Sequence, residues 1–174
     1  MSCPCYNKNK IYTIVPTNCD VMWVGISLKK NMNISDALNP AFASGNLLYK
    51  IEEKNTKLTY YRTNIIKCAP INKNNKLRYP TYQEMENCYP TLLEEINIAK
   101  PKFVFLLGSL VAKFVFDKLN ISHSLLPKDY NYIVKDIEGI KYVAIHHPSY
   151  INVYKRNSEN EYIKAVSKLM ECND

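Results

Sequence analysis

The apolar positions of this chain fall into short runs separated by polar, Gly- or Pro-marked breaks, and the runs differ in period. Residues 10–16 and 21–26 are rich in β-branched and aromatic side chains and flank a polar turn at 17–20, so both are predicted as strands. Residues 31–46 read as a polar loop punctuated by Gly and Pro, ending in a short helix over 47–53. Residues 58–68 read as a strand running into a loop, and 73–79 as a basic, Asn-rich connection. Thr81 with Glu84 three residues on makes a capping box. A helix should therefore run from there to Ala99, kinked at Pro90 and closed by Pro101. Residues 103–107 are continuously apolar, as in a strand buried on both faces. Gly108 and Ser109 then turn the chain into an amphipathic helix over 110–119. Residues 133–135 and 142–146 are the last strands, joined through a Glu138-Gly139 turn, and Ser158 with Glu161 predicts the cap of a C-terminal helix reaching Met170.

This alternation of strand and helix predicts an α/β fold: a three-layer α/β/α single domain over residues 1–174, with a central, mostly parallel sheet of four to five strands. Residues 1–20 form a cysteine-bearing N-terminal segment. In such sheets ligands sit outside the carboxyl ends of the strands, where Ser27, Asn64, Gly108 and His147 fall. The stretch 142–150, YVAIHHPSY, is the most pointed of these. An apolar run delivers His147 into a turn stiffened by Pro148, because proline fixes its own φ and holds the preceding residue extended. A histidine so held suits contact with a ligand atom; a surface turn with a chance His pair is the plainer alternative.

Composition narrows the field. The chain's 174 residues can build one well-buried core and are too few for two ordinary domains. A formal net charge of +7 suits a polyanionic partner, although the abundance of Asn, Lys, Ile and Tyr makes part of that charge a compositional bias. The best apolar run, 103–112, is half of what a bilayer span needs and is broken by Gly108 and Ser109. The N-terminus opens polar, without a secretory pattern. A soluble, cytoplasmic, monomeric protein is expected. Six cysteines in a reducing compartment point to a metal or cluster site more than to three disulfides, with buried spectator thiols as the alternative. A nucleotide-processing role for the helix start at Gly108 and Ser109 finds no supporting Gly-rich fingerprint or P-loop.

Four segments, taken together, carry a resemblance. Residues 63–70 read TNIIKCAP, Cys88 follows on the next helix, KPKFVFLLGSLVAKFV spans 100–115, and HHPSY closes the series at 146–150. In order and spacing the series resembles the uracil-DNA glycosylase superfamily, specifically the iron–sulfur branch often called family 4. The likeness is good from 61 to 156 and weaker before 21. It implies an enzyme that flips uracil or a related pyrimidine out of single- or double-stranded DNA and hydrolyses its N-glycosidic bond. In that reading Asn64 offers a donor and an acceptor to the N3–H and O4 edge of the base, and His147 stabilises the charge developing on the departing ring. Gly25 and Ile26 belong to the first motif of the base pocket, and Phe42 is the stacking ring. Ser149, Gly108 and Ser109 lie at the DNA-facing surface. Residues 151–156 resemble the loop that presses into the minor groove, with Tyr154 as a wedge and Lys155 and Arg156 on phosphates. His146 should point elsewhere. The same resemblance implies a structural [4Fe–4S] cluster on Cys3, Cys5, Cys68 and Cys88. Cys3 and Cys5 are spaced C-x-C where the family has C-x-x-C, which leaves Cys19 as a possible substitute.

One motif departs from the family. Where family 4 carries Gly-Glu-Ala-Pro-Gly, this chain reads Gly25-Ile26-Ser27-Leu28-Lys29. The carboxylate that would orient water or stabilise the sugar cation is missing, and Ser27 or Asp36 would have to serve. A hydroxyl can position water but is a poor base at neutral pH. Two functions follow as expectations: a monofunctional glycosylase, or a catalytically weak module that keeps the pocket to bind DNA, a modified base or a repair partner.

Overall fold

The strand β1 (Val21–Ser27) is an interior strand of the sheet, as its two apolar faces require. The computed structural model of the chain describes residues 14–32 and 34–171. On one side β1 pairs in parallel with β2 (Tyr60–Ile66), and on the other with β3 (Phe103–Leu107). β3 pairs in parallel with β5 (Ile140–Ile145), and β4 (Val134–Ile137) closes the edge antiparallel to β5. The five-stranded order is β2-β1-β3-β5-β4. The β4–β5 connection is the predicted Glu138-Gly139 turn; both residues take left-handed backbone, φ 52° and 83°, as a two-residue type I′ hairpin demands.

Successive side chains of the central strands point to opposite faces and so feed two cores. Met22, Val24, Val104 and Leu106 pack against α2 (Tyr82–Ala99) and α3 (Ser109–Lys118). Val21, Trp23, Phe103, Phe105, Val143 and Ile145 pack against α1 (Ala43–Glu52), α4 (Pro148–Tyr154) and α5 (Glu159–Glu171). The result is the predicted three-layer α/β/α arrangement. None of the described helices is long and apolar enough to cross a membrane.

The capping box forms as predicted: the Thr81 hydroxyl accepts from the Glu84 amide, and the Glu84 carboxylate accepts from the Thr81 amide. Helix α2 continues through Pro90 to Ala99. Four expectations need correction. Ile14, Val15 and Pro16 are not in a strand, and residues 10–13 of that predicted strand lie outside the described residues. Helix α1 begins at Ala43 rather than at 47. Residues 151–154 of the expected 151–156 loop belong instead to helix α4 (Pro148–Tyr154), capped by His147. Ser158 does not cap α5; its hydroxyl is engaged by the Lys155 carbonyl and the Tyr130 hydroxyl.

The early start of α1 has a packing cause. Gly45 is the point where the helix touches the preceding loop: a Cβ built there would lie 2.1 Å from the Asn39 carbonyl oxygen and 2.2 Å from that of Leu38. The glycine serves close approach, and the loop and the helix start are locked together. Further along, Glu52 anchors the other end of α1 by accepting from the Trp23 indole at 2.9 Å and pairing with Arg62 on β2 at 2.5 Å. Gly45→Ala should therefore destabilise the fold by about 1–3 kcal/mol, the usual range for overpacking. A urea titration checks this; an unchanged midpoint would show that the loop can yield.

Candidate active site

The carboxyl ends of β1 and β2, the turn after β5, and residues within 34–45 line an open-mouthed cleft. Its lining includes Ile26, Ser27, Asp36, Phe42, Asn64 and His147. Six residues singled out from the sequence, from four separate stretches of chain, thus meet at one place. It is where α/β sheets bind ligands, beside the β1–β3 boundary from which connections run in opposite directions.

Asn64 owes its position to Gly25. The two are register partners in the β1–β2 ladder. A Cβ on Gly25 would stand 2.3 Å from the Asn64 side-chain oxygen, so only glycine leaves room for that amide to lie over β1. Asn64 is 2% exposed.

Behind it, on the opposite face of β2, lies a charged knot that sequence reading missed. The Lys67 ammonium donates to the Asn64 carbonyl, the Thr63 hydroxyl and Glu95 of α2, each at 2.6 Å, and the Thr63 hydroxyl donates to the same Glu95 oxygen at 2.8 Å. Burial holds the Lys67 pKa below its ordinary value, opposed by Glu95. Removing either partner of such a pair leaves an uncompensated buried charge, typically ~3–5 kcal/mol. The TN-x-x-K spacing carried this signal, since it places Thr63 and Lys67 on the α2 side while Asn64 faces the cleft.

His147 is held by its own helix. Its Nδ1 caps α4, accepting from the Ser149 amide at 3.1 Å, and the Ser149 hydroxyl lies 2.7 Å from the same nitrogen. An Nδ1 that accepts a backbone N–H carries no proton, so the hydrogen-bond network assigns the ring proton of the neutral imidazole to Nε2. Burial, with a smaller contribution from the Lys29 charge, pushes the pKa down to about 4. The ring is thus neutral near pH 7. Gly108, at φ 92°, passes against it: a Cβ there would come within 3.3 Å of the His147 Cβ.

The remaining predicted residues divide by position. Ser27 ends β1 and lines the cleft, and Asp36 reaches it from a single 3₁₀ turn. Phe42 is 43% exposed and precedes α1, with the Lys29 ammonium 5.2 Å above its ring centre. Lys29 is a lining residue not singled out from the sequence. His146 turns away from the cleft into an aromatic cluster: its Nδ1 lies 2.8 Å from the Tyr132 hydroxyl, and its ring stacks on Tyr150 at 5.3 Å. Tyr154, 72% exposed, ends α4, and exposed Lys155 and Arg156 follow. Ser109 is exposed at the start of α3. None of these last residues lines the cleft.

Cys68 follows β2, and its carbonyl accepts from the Leu28 amide. Cys88 is buried on α2, in the core cluster against which Cys68 packs, and close enough to Lys67 for its charge to be felt there. Cys3 and Cys5 lie outside the described residues. Cys19 does not belong with this pair. It sits at the amino end of β1, bonded to the Ala99 carbonyl, whereas Cys68 is level with Leu28 beyond the carboxyl end. At about 3.3 Å per residue the separation is of the order of 25 Å, which removes Cys19 as a substitute ligand.

Comparison with known proteins agrees with this geometry. A sequence profile described as the Uracil DNA glycosylase superfamily matches residues 13–170. A type-4 uracil-DNA glycosylase of Archaeoglobus fulgidus is 27% identical over 115 residues, 64% of this chain and 55% of that protein. One from Thermotoga maritima is 31% identical over 111 residues, 64% of this chain and 53% of that one. The chain therefore spans about half the length of these relatives. The crystal structure of Pedobacter heparinus SMUG2 superposes with a TM-score of 0.58, covering 88% of this chain and 75% of that one, at 14% identity, a likeness of fold. With the profile match running over nearly the whole chain, this protein belongs to the uracil-DNA glycosylase superfamily.

Proposed function

We propose that the protein is a monofunctional DNA glycosylase that hydrolyses the N-glycosidic bond of uracil or a related pyrimidine. The observation that carries this reading is the convergence of Asn64 and His147 on one cleft, each held from behind: Asn64 by the Gly25 vacancy and the Lys67 knot, His147 by its cap on α4. A buried amide with a donor and an acceptor reads the edge of a flipped pyrimidine, and a site built to pair with that edge strongly rejects bases that cannot complete it. The Phe42 ring, exposed at the cleft, offers a stacking face.

When the bond breaks, negative charge gathers on the departing ring. A fixed donor aimed at such charge acts without reorganisation. The Nε2–H of His147 is that donor, and its neutrality is functional. With the imidazolium depopulated at neutral pH, the ring has no acidic proton to transfer. The N–H of a neutral imidazole is too weak an acid to pass to the base, so it stabilises the anion as a hydrogen-bond donor. Ser27 or Asp36 positions the water that adds to the sugar. Lys155 and Arg156 meet phosphates, and exposed Tyr154 wedges between bases.

Cys88, a thiol on the α2 side of β2, and Cys68, which is disulfide-bonded here and would have to be reduced, would hold two ligand positions of a [4Fe–4S] cluster; Cys3 and Cys5 would supply the others. Such a group would cross-link the N-terminal segment to the strand end that carries Asn64. The proposed reaction uses no electron from it.

The expected outcomes are specific. On single- and double-stranded oligonucleotides containing uracil, hydroxymethyluracil, hypoxanthine or thymine mismatches, alkali-labile breaks should appear for at least one pyrimidine substrate. His147→Ala and Asn64→Ala should each slow them by about 100- to 1,000-fold. Tight binding with no breaks on any substrate would favour a recognition module instead. In nitrogen-detected NMR, His147 should show the Nε2–H tautomer and titrate near pH 4. Because its folded pKa lies below the unfolded value of ~6.5, the unfolded chain binds the extra proton. The His147 contribution should therefore lower stability as pH falls from ~6.5 towards 4, and have no effect above that window. Anaerobically purified protein should contain iron and acid-labile sulfide in equal amounts, and Cys88→Ser should reduce both; iron-free wild type would end the cluster assignment.

A further inference from the structure

The first motif lost a carboxylate and gained a lysine, and the position of that lysine gives it a task. Lys29 stands two residues beyond the end of β1, at the rim of the cleft that Asn64 and His147 line. Among the cleft's described lining residues the charged ones are Lys29 and Asp36. The Lys29 ammonium lies over the Phe42 ring, 5.2 Å from its centre, on a face where a flipped pyrimidine would stack. It is also near enough to help depress the His147 pKa.

We propose that Lys29 is a catalytic residue: its ammonium leaves the Phe42 ring as the base enters and stays beside it, meeting the negative charge of the departing pyrimidine together with His147. This role rests on the glycosylase reading above.

The energetics favour the exchange. A cation over an aromatic ring at an exposed site is only weakly attracted. An ammonium next to an anion inside a cleft from which the base has expelled water is attracted more strongly, since lower dielectric magnifies the interaction. Breakage of the C1′–N1 bond leaves its electron pair on the base, spread over N1, O2 and O4, and a positive charge on the sugar. Water adds its oxygen to C1′, and the proton it loses ends on the released base. Lys29 keeps its own proton throughout. A carboxylate in the first motif would lower this barrier from the sugar side; a lysine there lowers it from the leaving-group side. Both act only as charge separates, so both count as transition-state stabilisation. The reaction should then depend on Lys29 most when the leaving base is a poor one.

The test is single-turnover excision of uracil and of 5-fluorouracil, whose anion is the more stable, by wild type, Lys29→Met and Lys29→Arg. Lys29 is exposed, so neither substitution should disturb folding; thermal melts confirm that. The expected result is a loss of about 100-fold on uracil for Lys29→Met, a clearly smaller loss on 5-fluorouracil, and retention of most activity by Lys29→Arg. An equal loss on both bases, or a rise in KM alone with weaker salt dependence, would identify a phosphate contact and overturn the proposal. Unchanged excision by Lys29→Met would overturn it too while leaving the glycosylase intact. Failure of wild type on every base would instead bring down the glycosylase reading, and this role with it.

Discussion

Everything at the cleft depends on one register: the parallel pairing of β1 and β2 that sets Gly25 against Asn64. A slip of one residue would carry every β2 side chain to the other face, sending Asn64 into the α2 core and Thr63 towards the cleft. Neighbouring pairs hold the alignment from both faces. Arg62, on the face shared with Asn64, is tied to Glu52 of α1, and Thr63, on the opposite face, is tied to Glu95 of α2. Lys67 then bonds back to the Asn64 carbonyl and fixes the strand exit itself. The Asn64 amide is thus placed by backbone pairing and by buried ion pairs in both helical layers, while the cleft side contributes mainly the absence of a Gly25 side chain.

The electrostatics of the cleft follow from the same economy of parts. Nδ1 of His147 is consumed as a helix cap, so the ring cannot protonate there without opposing the Ser149 amide. Hydrogen bonding and burial act in one direction and keep the imidazole neutral, with its proton on Nε2. Lys29 reinforces this, because a cation nearby disfavours a second one. The structural cap and the chemical role are two consequences of a single hydrogen bond, and Pro148, which supplies no amide of its own at the first helical position, makes the Ser149 amide the one that the cap must satisfy.

Much of this was legible in the sequence where the signal is local. The FVFLL run, the Thr81–Glu84 box and the Glu138-Gly139 turn each encode their own geometry within a few residues, and each folds as read. What escaped reading depends on contacts that no local pattern records. Ser44-Gly45-Asn46 has turn composition, yet Gly45 is used for close packing and the helix simply starts earlier. Helix α4, with seven residues, is too short to show a period, and a histidine is not among the usual capping residues. Lys67 and Glu95 are 28 residues apart, so their pairing appears only once β2 and α2 pack together. The lysine of the first motif was visible; its position above Phe42 was not.

That lysine also changes what the missing carboxylate means. Cleavage of a glycosidic bond separates charge along one axis, cationic at the sugar and anionic at the base, and a protein can lower the barrier from either end. A cleft with an acid in its first motif works on the sugar. This cleft is lined by a neutral imidazole, His147, by the Lys29 ammonium, and by Ser27 at the strand end. On the proposed reaction, such a distribution gives most help to bases that leave poorly as anions and least to those that leave readily. On that proposal the altered motif shifts which half of the transition state is stabilised, and the range of bases accepted should then follow fit to Asn64 more than leaving-group acidity.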